Sequence, residues 1–334
     1  MSKTQPNFPS QSMPGREHGL SLVELMVSLT LGMILMVGVG YVYMGSRTSF
    51  KQQDALSRMQ ENARYVFEVL SNDLRMTGFS GSLCGLAASE VDNKLDTTKW
   101  YGDVFGLPVK GYENASSSAP DVTATVYAGD ALHILHADST REYVVNVDAT
   151  PGGAITFDGT APDGDGNVVV AGCGNAKPRA AFAMASNQNG LTTTILQKSR
   201  IYPLETNLYY VRLRDTGSAI STNNPPALYR KRGTAAPEEL VEGVEDMQIE
   251  YGVDTSNPAA CSNNDGGVDA YVIADDVEST APCATSAEDW KKVLSVRVKL
   301  TMRSTEDDVT TETAGGDKRL RKTFTTTIAI RNRL

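Results

Sequence analysis

The sequence predicts an α+β protein in which one long amino-terminal helix packs on an antiparallel β-sheet head. Two observations lead to this prediction. No proline interrupts residues 20–77, a stretch that is first apolar and then amphipathic. Beyond residue 79, short β-prone stretches alternate with loops of Gly, Asp, Asn, Pro and Ser, and no helical pattern separates them. Strands that follow one another without helices favour antiparallel pairing.

The apolar part of the helix is long enough to cross a membrane. Residues 20–44 contain a single charged side chain, that of Glu24. At about 1.5 Å per residue, a helix of that length spans the roughly 30 Å hydrocarbon core of a bilayer. A secretory signal peptide has a shorter apolar region and a small-residue cleavage site, and no Ala-x-Ala site follows here. We therefore predict a membrane anchor, in which Glu24 either pairs with a group of opposite charge or, lying near the helix end, extends its carboxylate to the membrane interface.

The second part of the helix is amphipathic from Ser46 onward. Apolar residues recur every three or four positions, with charged residues between them, so we expect one face to lie on the head. These apolar residues are Leu56, Met59, Ala63, Val66, Leu70 and Leu74. Gly78 is expected to end the helix, and Asp73 and Arg75 near that end are expected to help dock it onto the head.

The head is predicted to contain at least eight strands. They are expected at residues 131–136, 142–147, 168–171, 192–197, 208–213, 244–251, 293–302 and 322–330. The strand at 293–302 alternates most clearly. Val296, Val298, Leu300 and Met302 share one face, and charged or polar residues occupy the other.

Composition argues against nucleic-acid binding. The formal net charge is −9, whereas binding to phosphates needs a basic surface. The local exception, the basic run from Tyr229 to Arg232, is interpreted as a strand edge or loop with solvated charges. No nucleophile motif, phosphate loop or zinc-type histidine motif occurs in the sequence. We therefore predict no enzymatic activity and no cofactor.

Two groups of residues were considered as metal ligands. Asp163, Asp165 and Asn167 imitate the opening of an EF-hand loop, but Val168 and Gly174 stand where that loop needs a glycine and a glutamate. A solvated turn is the preferred interpretation. His133 and His136 are three positions apart on a predicted strand, so they point to opposite faces, which is poor geometry for a shared metal.

All four cysteines follow the apolar segment and none forms a CxxC pair. They are Cys84, Cys173, Cys261 and Cys283, and they allow three pairings. An exported head makes two disulfides reasonable. We favour Cys261–Cys283, which closes a short polar loop, and Cys84–Cys173. The alternative is reduced thiols in a cytosolic head.

The residues from Gly19 to Glu24 resemble a type IV prepilin leader. The resemblance consists of a glycine before the cut, an apolar first residue, a glutamate five positions after the cut, and an apolar run that follows without a break. It implies that a membrane-embedded prepilin peptidase cuts between Gly19 and Leu20 and methylates the amine of Leu20. Leucine replaces the usual phenylalanine at that position. The resemblance also implies a partner for Glu24, namely the positively charged terminal amine of its own or an adjacent subunit.

A second resemblance, to PilW-type minor pilins, covers the end of the helix and much of the head. It rests on the run Glu61–Phe79 with Cys84 shortly after it, and on blocks in the same order farther along the chain. These blocks lie at residues 208–212, 226–230, 240–252 and 327–333. The resemblance implies a type IV pilin-like fold. Residues 85–130 and 253–289 show no block of that family.

Together, the resemblances imply four segments: a leader at 1–19, a membrane and assembly half-helix at 20–44, an amphipathic half-helix at 45–78, and a head at 79–334. They imply a minor pilin of the initiating or tip complex of a type IV pilus, which supports twitching motility or adhesion. The expected partners are prepilin peptidase, other minor pilins, the major pilin, a tip adhesin and the inner membrane. The head is expected in the periplasm and then on the pilus. The alternatives are a J-type minor pseudopilin of type II secretion and a membrane-anchored periplasmic binding protein.

Overall fold

The computed structural model describes the long helix and most of the strands of the head. The described residues are 19, 21–79, 91–94, 107, 109–115, 126–141, 143–144, 167–171, 179–183, 200–215, 217, 224–255, 266–280, 289–290, 292–310 and 317–331. The chain divides into two compact units, residues 1–51 and 52–334. All four cysteines, Asp163, Asp165 and the predicted strand at 192–197 lie outside the described residues.

Helix α1 runs from Leu22 to Met76 and contains 55 residues. Its end follows the prediction, since Gly78 has a φ of 76°. That left-handed conformation suits glycine and commonly ends helices. The amide of Gly78 donates to the carbonyl of Leu135 at 3.1 Å, so the turn after α1 is joined directly to a strand of the head. A second helix, α2 (Ala274–Thr280), lies between two strands of the head.

The described residues of the head form thirteen strands in two sheets. The strands of the larger sheet are β1 (Val91–Lys94), β2 (Val109–Tyr112), β3 (Val126–Ala137), β4 (Tyr143–Val144), β5 (Asn167–Ala171), β6 (Arg179–Ala183), β7 (Arg200–Leu213), β8 (Pro226–Arg232) and β9 (Glu238–Glu242). The strands of the smaller sheet are β10 (Val244–Val253), β11 (Ala270–Val272), β12 (Val293–Arg303) and β13 (Arg321–Ala329).

The order of the smaller sheet is β11-β10-β12-β13, and all its pairs are antiparallel. The order of the larger sheet is β1-β6-β5-β7-β3-β2. In addition, β4 and β8 pair with β7, and β9 pairs with β8. The antiparallel prediction is confirmed, with one local difference, since β1 and β6 pair in parallel. Strand β7 holds the larger sheet together, because its first half pairs with β4 and β5 and its second half pairs with β3 and β8.

The main core lies between α1 and the strands of the head. Five of the six apolar helix positions predicted from the periodicity are buried there, and the sixth, Leu56, is partly buried against the same cluster. Strand β12 alternates as predicted, with Val296, Val298, Leu300 and Met302 fully buried. On β3, Leu132 and Ile134 enter this core, whereas Ala131 and Leu135 enter a second cluster with Tyr210 and Tyr229. The two clusters use the two faces of β3, as strand periodicity requires.

Candidate functional site: an uncovered apolar helix and the contact that holds its continuation

The first unit contains an apolar helical segment that no described residue covers. The best 18-residue window of α1 has a mean hydropathy of 2.2, and none of that window is buried. By length and composition, α1 is the one helix among the described residues that is apolar enough to cross a membrane. Large side chains such as Leu35, Met36 and Tyr41 are 69–82% exposed. In an aqueous protein such a surface marks a binding site or a membrane contact.

Glu24 lies in the first turn of α1 and is exposed. A carboxylate in this turn interacts favourably with the positive end of the helix dipole. The hydroxyl of Ser28 donates to the backbone carbonyl of Glu24 at 2.6 Å. This hydroxyl therefore bonds to the helix backbone and not to the carboxylate of Glu24. Gly19 is exposed ahead of the helix, while Leu20 lies outside the described residues. The roles predicted for Gly19, Leu20 and Glu24 remain predictions.

A polar contact attaches the carboxyl-terminal end of α1 to the larger sheet. One Asp73 carboxylate oxygen accepts hydrogen bonds from the hydroxyl of Tyr209 and from Nδ2 of Asn207, the latter at 2.8 Å. The other carboxylate oxygen lies 3.9 Å from Nε2 of His136. Tyr209 is fully buried and Asn207 nearly so. The sequence predicts a docking role for Asp73 but does not reveal these partners, which lie on β3 and β7.

The two histidines of β3, His133 and His136, are both buried in the head. His133 is fully buried, and burial, reinforced by the nearby Lys110 charge, lowers its pKa to about 3. It is therefore neutral at physiological pH. His136 is buried near the helix end, with Nδ1 at 3.1 Å from the carbonyl of Ala137. Among the described residues, no group of three or more His, Cys, Asp or Glu is arranged to hold a metal ion. Asn167 begins β5 and pairs with Ala183.

Two neighbouring acids, the buried Asp130 and the half-buried Glu113, lie on β3 and just after β2. Asp130 accepts hydrogen bonds from the amides of Ile249 at 2.8 Å and Asn114 at 3.2 Å. Burial, with a smaller contribution from the nearby Glu113, raises the pKa of Asp130 to about 6 against the effect of the two amide donors. Burial also raises the pKa of Glu113 itself. The carboxylate of Asp130 thus joins β3 to β10.

Neither the basic run nor the cavity beside α1 forms a ligand site. In β8, Arg230 lies 3.0 Å and Arg232 3.8 Å from the carboxylate of Glu238, so neighbouring acid balances the basic run. A cavity of about 50 Å³ lies between residues 54–62 of α1 and residues 302–306. Small-molecule sites usually enclose roughly 300–1,000 Å³, so this cavity is the size of a few water molecules.

Comparison with known protein families supports both resemblances. Residues 14–40 match the family described as the prokaryotic N-terminal methylation motif. Residues 208–332 match the family described as type IV pilus-assembly protein W. No curated protein and no solved structure matches the chain. The two matches confirm the predicted resemblance to PilW-type pilins with a prepilin leader.

Proposed function

We propose that this chain, a minor pilin related to the type IV pilus, acts in the initiating or tip complex of the pilus. The observation that supports the proposal is the uncovered apolar segment of α1 with its acid in the first turn. In the unassembled subunit this segment is held by the inner membrane, with the head in the periplasm. In the filament it packs among like helices.

Assembly selects neighbours chiefly through packing and charge. When the segment moves from lipid to neighbouring helices, the hydrophobic term largely cancels, because lipid tails are as apolar as the side chains that replace them. An ionised side chain at the middle of a membrane helix costs roughly 2.5–3.5 kcal/mol, and less near its end. Pairing Glu24 with the methylated amine of Leu20 on an adjacent subunit, or on its own, offsets this cost and fixes the register of the two helices.

Processing by prepilin peptidase is the first step of the proposal. Replacing Gly19 by Ala should leave the leader attached, because the peptidase would no longer recognise the cleavage position. The intact mass of the protein, measured in cells with and without the peptidase, tests this step. A wild-type protein that keeps residues 1–19 in both strains contradicts the proposal and favours a membrane-anchored periplasmic binding protein.

Incorporation into pili is the second step. Glu24→Gln keeps the shape of the side chain and removes its charge, so we expect a severalfold smaller fraction of the protein in sheared pili. Glu61→Gln changes an exposed acid in the second unit and serves as the matched control, with wild-type incorporation expected. Normal incorporation of Glu24→Gln contradicts the role of the ion pair. A protein absent from pili but required for type II secretion indicates a pseudopilin.

A further inference from the structure

Strand β13 differs from every other edge strand of the two sheets. Among the described residues there are six edge strands, and five of them are short, with two to five residues: β1, β2, β4, β9 and β11. Strand β13 contains nine residues and forms one side of the smaller sheet. No described strand pairs with its other edge, here called the free edge, which at about 3.4 Å per residue is roughly 30 Å long.

The devices that protect other edges are missing along most of β13. Proteins block edge strands with charges, prolines, bulges or short length. Strand β9 carries Glu238, Glu239 and Glu242, and its pairing with β8 contains a register shift. Residues 323–329 have no charge, proline or glycine, and β13 pairs with β12 over nine positions without a register shift. Thr323, Thr325 and Thr327 are exposed along it.

Exposed positive charges flank this uncharged edge. Lys322 precedes it, Arg331 follows it, and both are exposed. Two copies of β13 paired in parallel would set Lys322 opposite Lys322, and an antiparallel pair centred on Thr326 would set Arg321 opposite Arg331. Like charges directly across a strand pair are destabilising, so the flanks disfavour a second copy. They favour a strand with carboxylates at its ends.

We propose that the free edge of β13 binds an extended segment of another polypeptide, which has an uncharged, β-branched centre and acidic residues at both ends. The segment adds a fifth strand to the smaller sheet through main-chain hydrogen bonds, a recognised mode of peptide binding. The main chain supplies the affinity, and Lys322 and Arg331 supply the preference for acidic ends. This surface is independent of Glu24 and of the apolar half of α1.

The test uses the full chain in detergent micelles and synthetic ten-residue peptides. The probe has three Val-Thr pairs between two aspartates at each end, and its partner has lysines in place of the aspartates. We expect the acidic peptide to bind roughly tenfold more tightly, since its contacts with Lys322 and Arg331 are attractive, whereas those of the lysine-flanked peptide are repulsive. Fluorescence anisotropy measures the affinities, and hydrogen exchange should show slower exchange at residues 323–329 when the acidic peptide is bound.

Charge reversal at the flanks gives the sharper test. Lys322→Glu with Arg331→Glu should reverse the preference, so that the lysine-flanked peptide binds more tightly. Lys299→Glu changes an exposed lysine on the neighbouring strand β12 and serves as the control, which should keep the wild-type preference. Both sets of positions are exposed, so folding is expected to be retained.

Several results would overturn the proposal. They are no binding of the acidic peptide, an unchanged preference in the double variant, or slowed exchange at another part of the chain. Slow exchange in the free chain at those amides of 323–329 that do not donate to β12 would mean that a segment of the same chain already covers the edge. Protection that rises with the concentration of the chain alone would identify a second copy as the occupant.

Discussion

The two parts of α1 have the same backbone conformation but different surroundings. In residues 52–76 the apolar stripe is covered by the head, and Val66, Leu70 and Leu74 are fully buried. In the first unit, large apolar side chains from Leu22 to Phe50 are 51–82% exposed. One continuous helix therefore combines a part that packs on the head with a part whose apolar side chains are exposed. Its second part stabilises the fold within the chain, whereas its first part is available to lipid or to other helices.

The largest predicted difference concerns truncation of a leucine in each part. Leu70→Ala should lower the free energy of unfolding of the head by roughly 2–5 kcal/mol, because it leaves a cavity in the main core. Leu35, which is 69% exposed, should have almost no effect on the head when changed to Ala. Urea denaturation in detergent, followed by near-ultraviolet circular dichroism, measures both. Equal losses in the two variants would contradict the separation of roles.

A change of pH is expected to alter the stability of the second unit by an intermediate amount, because the titrating group, Asp130, lies in that unit. The pKa of Asp130 is about 6 in the folded protein and about 3.9 in an unfolded chain. The folded state therefore binds more protons between these values, so stability falls as pH rises through that window. Since one unit of pKa shift corresponds to about 1.4 kcal/mol, the change is on the order of 1–3 kcal/mol.

Asp130→Asn should flatten this pH dependence, because the amide does not titrate. Its absolute stability is expected to be lower, since one of the two amides from Ile249 and Asn114 loses its acceptor. The readout is therefore the difference in melting temperature between pH 4.5 and pH 7, compared with wild type. Any pH dependence of the melting temperature that remains in the variant is assigned to Glu113, whose pKa is also raised. An unchanged slope in the variant would contradict the assignment to Asp130.

The smallest predicted effect comes from the hydrogen bond between Tyr209 and Asp73, which helps hold the carboxyl-terminal end of α1 on the head. Tyr209→Phe removes one donor to Asp73 and keeps the ring in the core. We expect a loss of about 0.5–1.5 kcal/mol, the usual net value of one hydrogen bond. Hydrogen exchange should be faster in the last turns of α1 and unchanged in residues 22–51. Tyr65→Phe, at an exposed helix position, is the control. Faster exchange in both units would show that the contact acts on the whole helix.

Local patterns predicted much of this architecture. The buried helix positions, the left-handed residue Gly78 after the helix end and the alternation along β12 all follow from periods that neighbouring residues display. Seven of the eight predicted strand regions overlap observed strands, and the eighth lies outside the described residues. The order of the strands was harder to predict from the sequence. For example, the parallel pair of β1 and β6 joins segments that are far apart in the chain.

The sequence alone determined that residues 20–44 are apolar around a single acid, that the following turns are amphipathic, and that a strand-rich head comes after them. Only the tertiary structure decided which side chains hold the helix to the head. Asp73 meets Asn207 and Tyr209 across 134 and 136 positions. It also decided that β13 is a long edge strand, with β12 as its one partner among the described strands. Periodicity is a property of neighbouring residues, whereas these contacts depend on how distant segments come together, which no local pattern encodes.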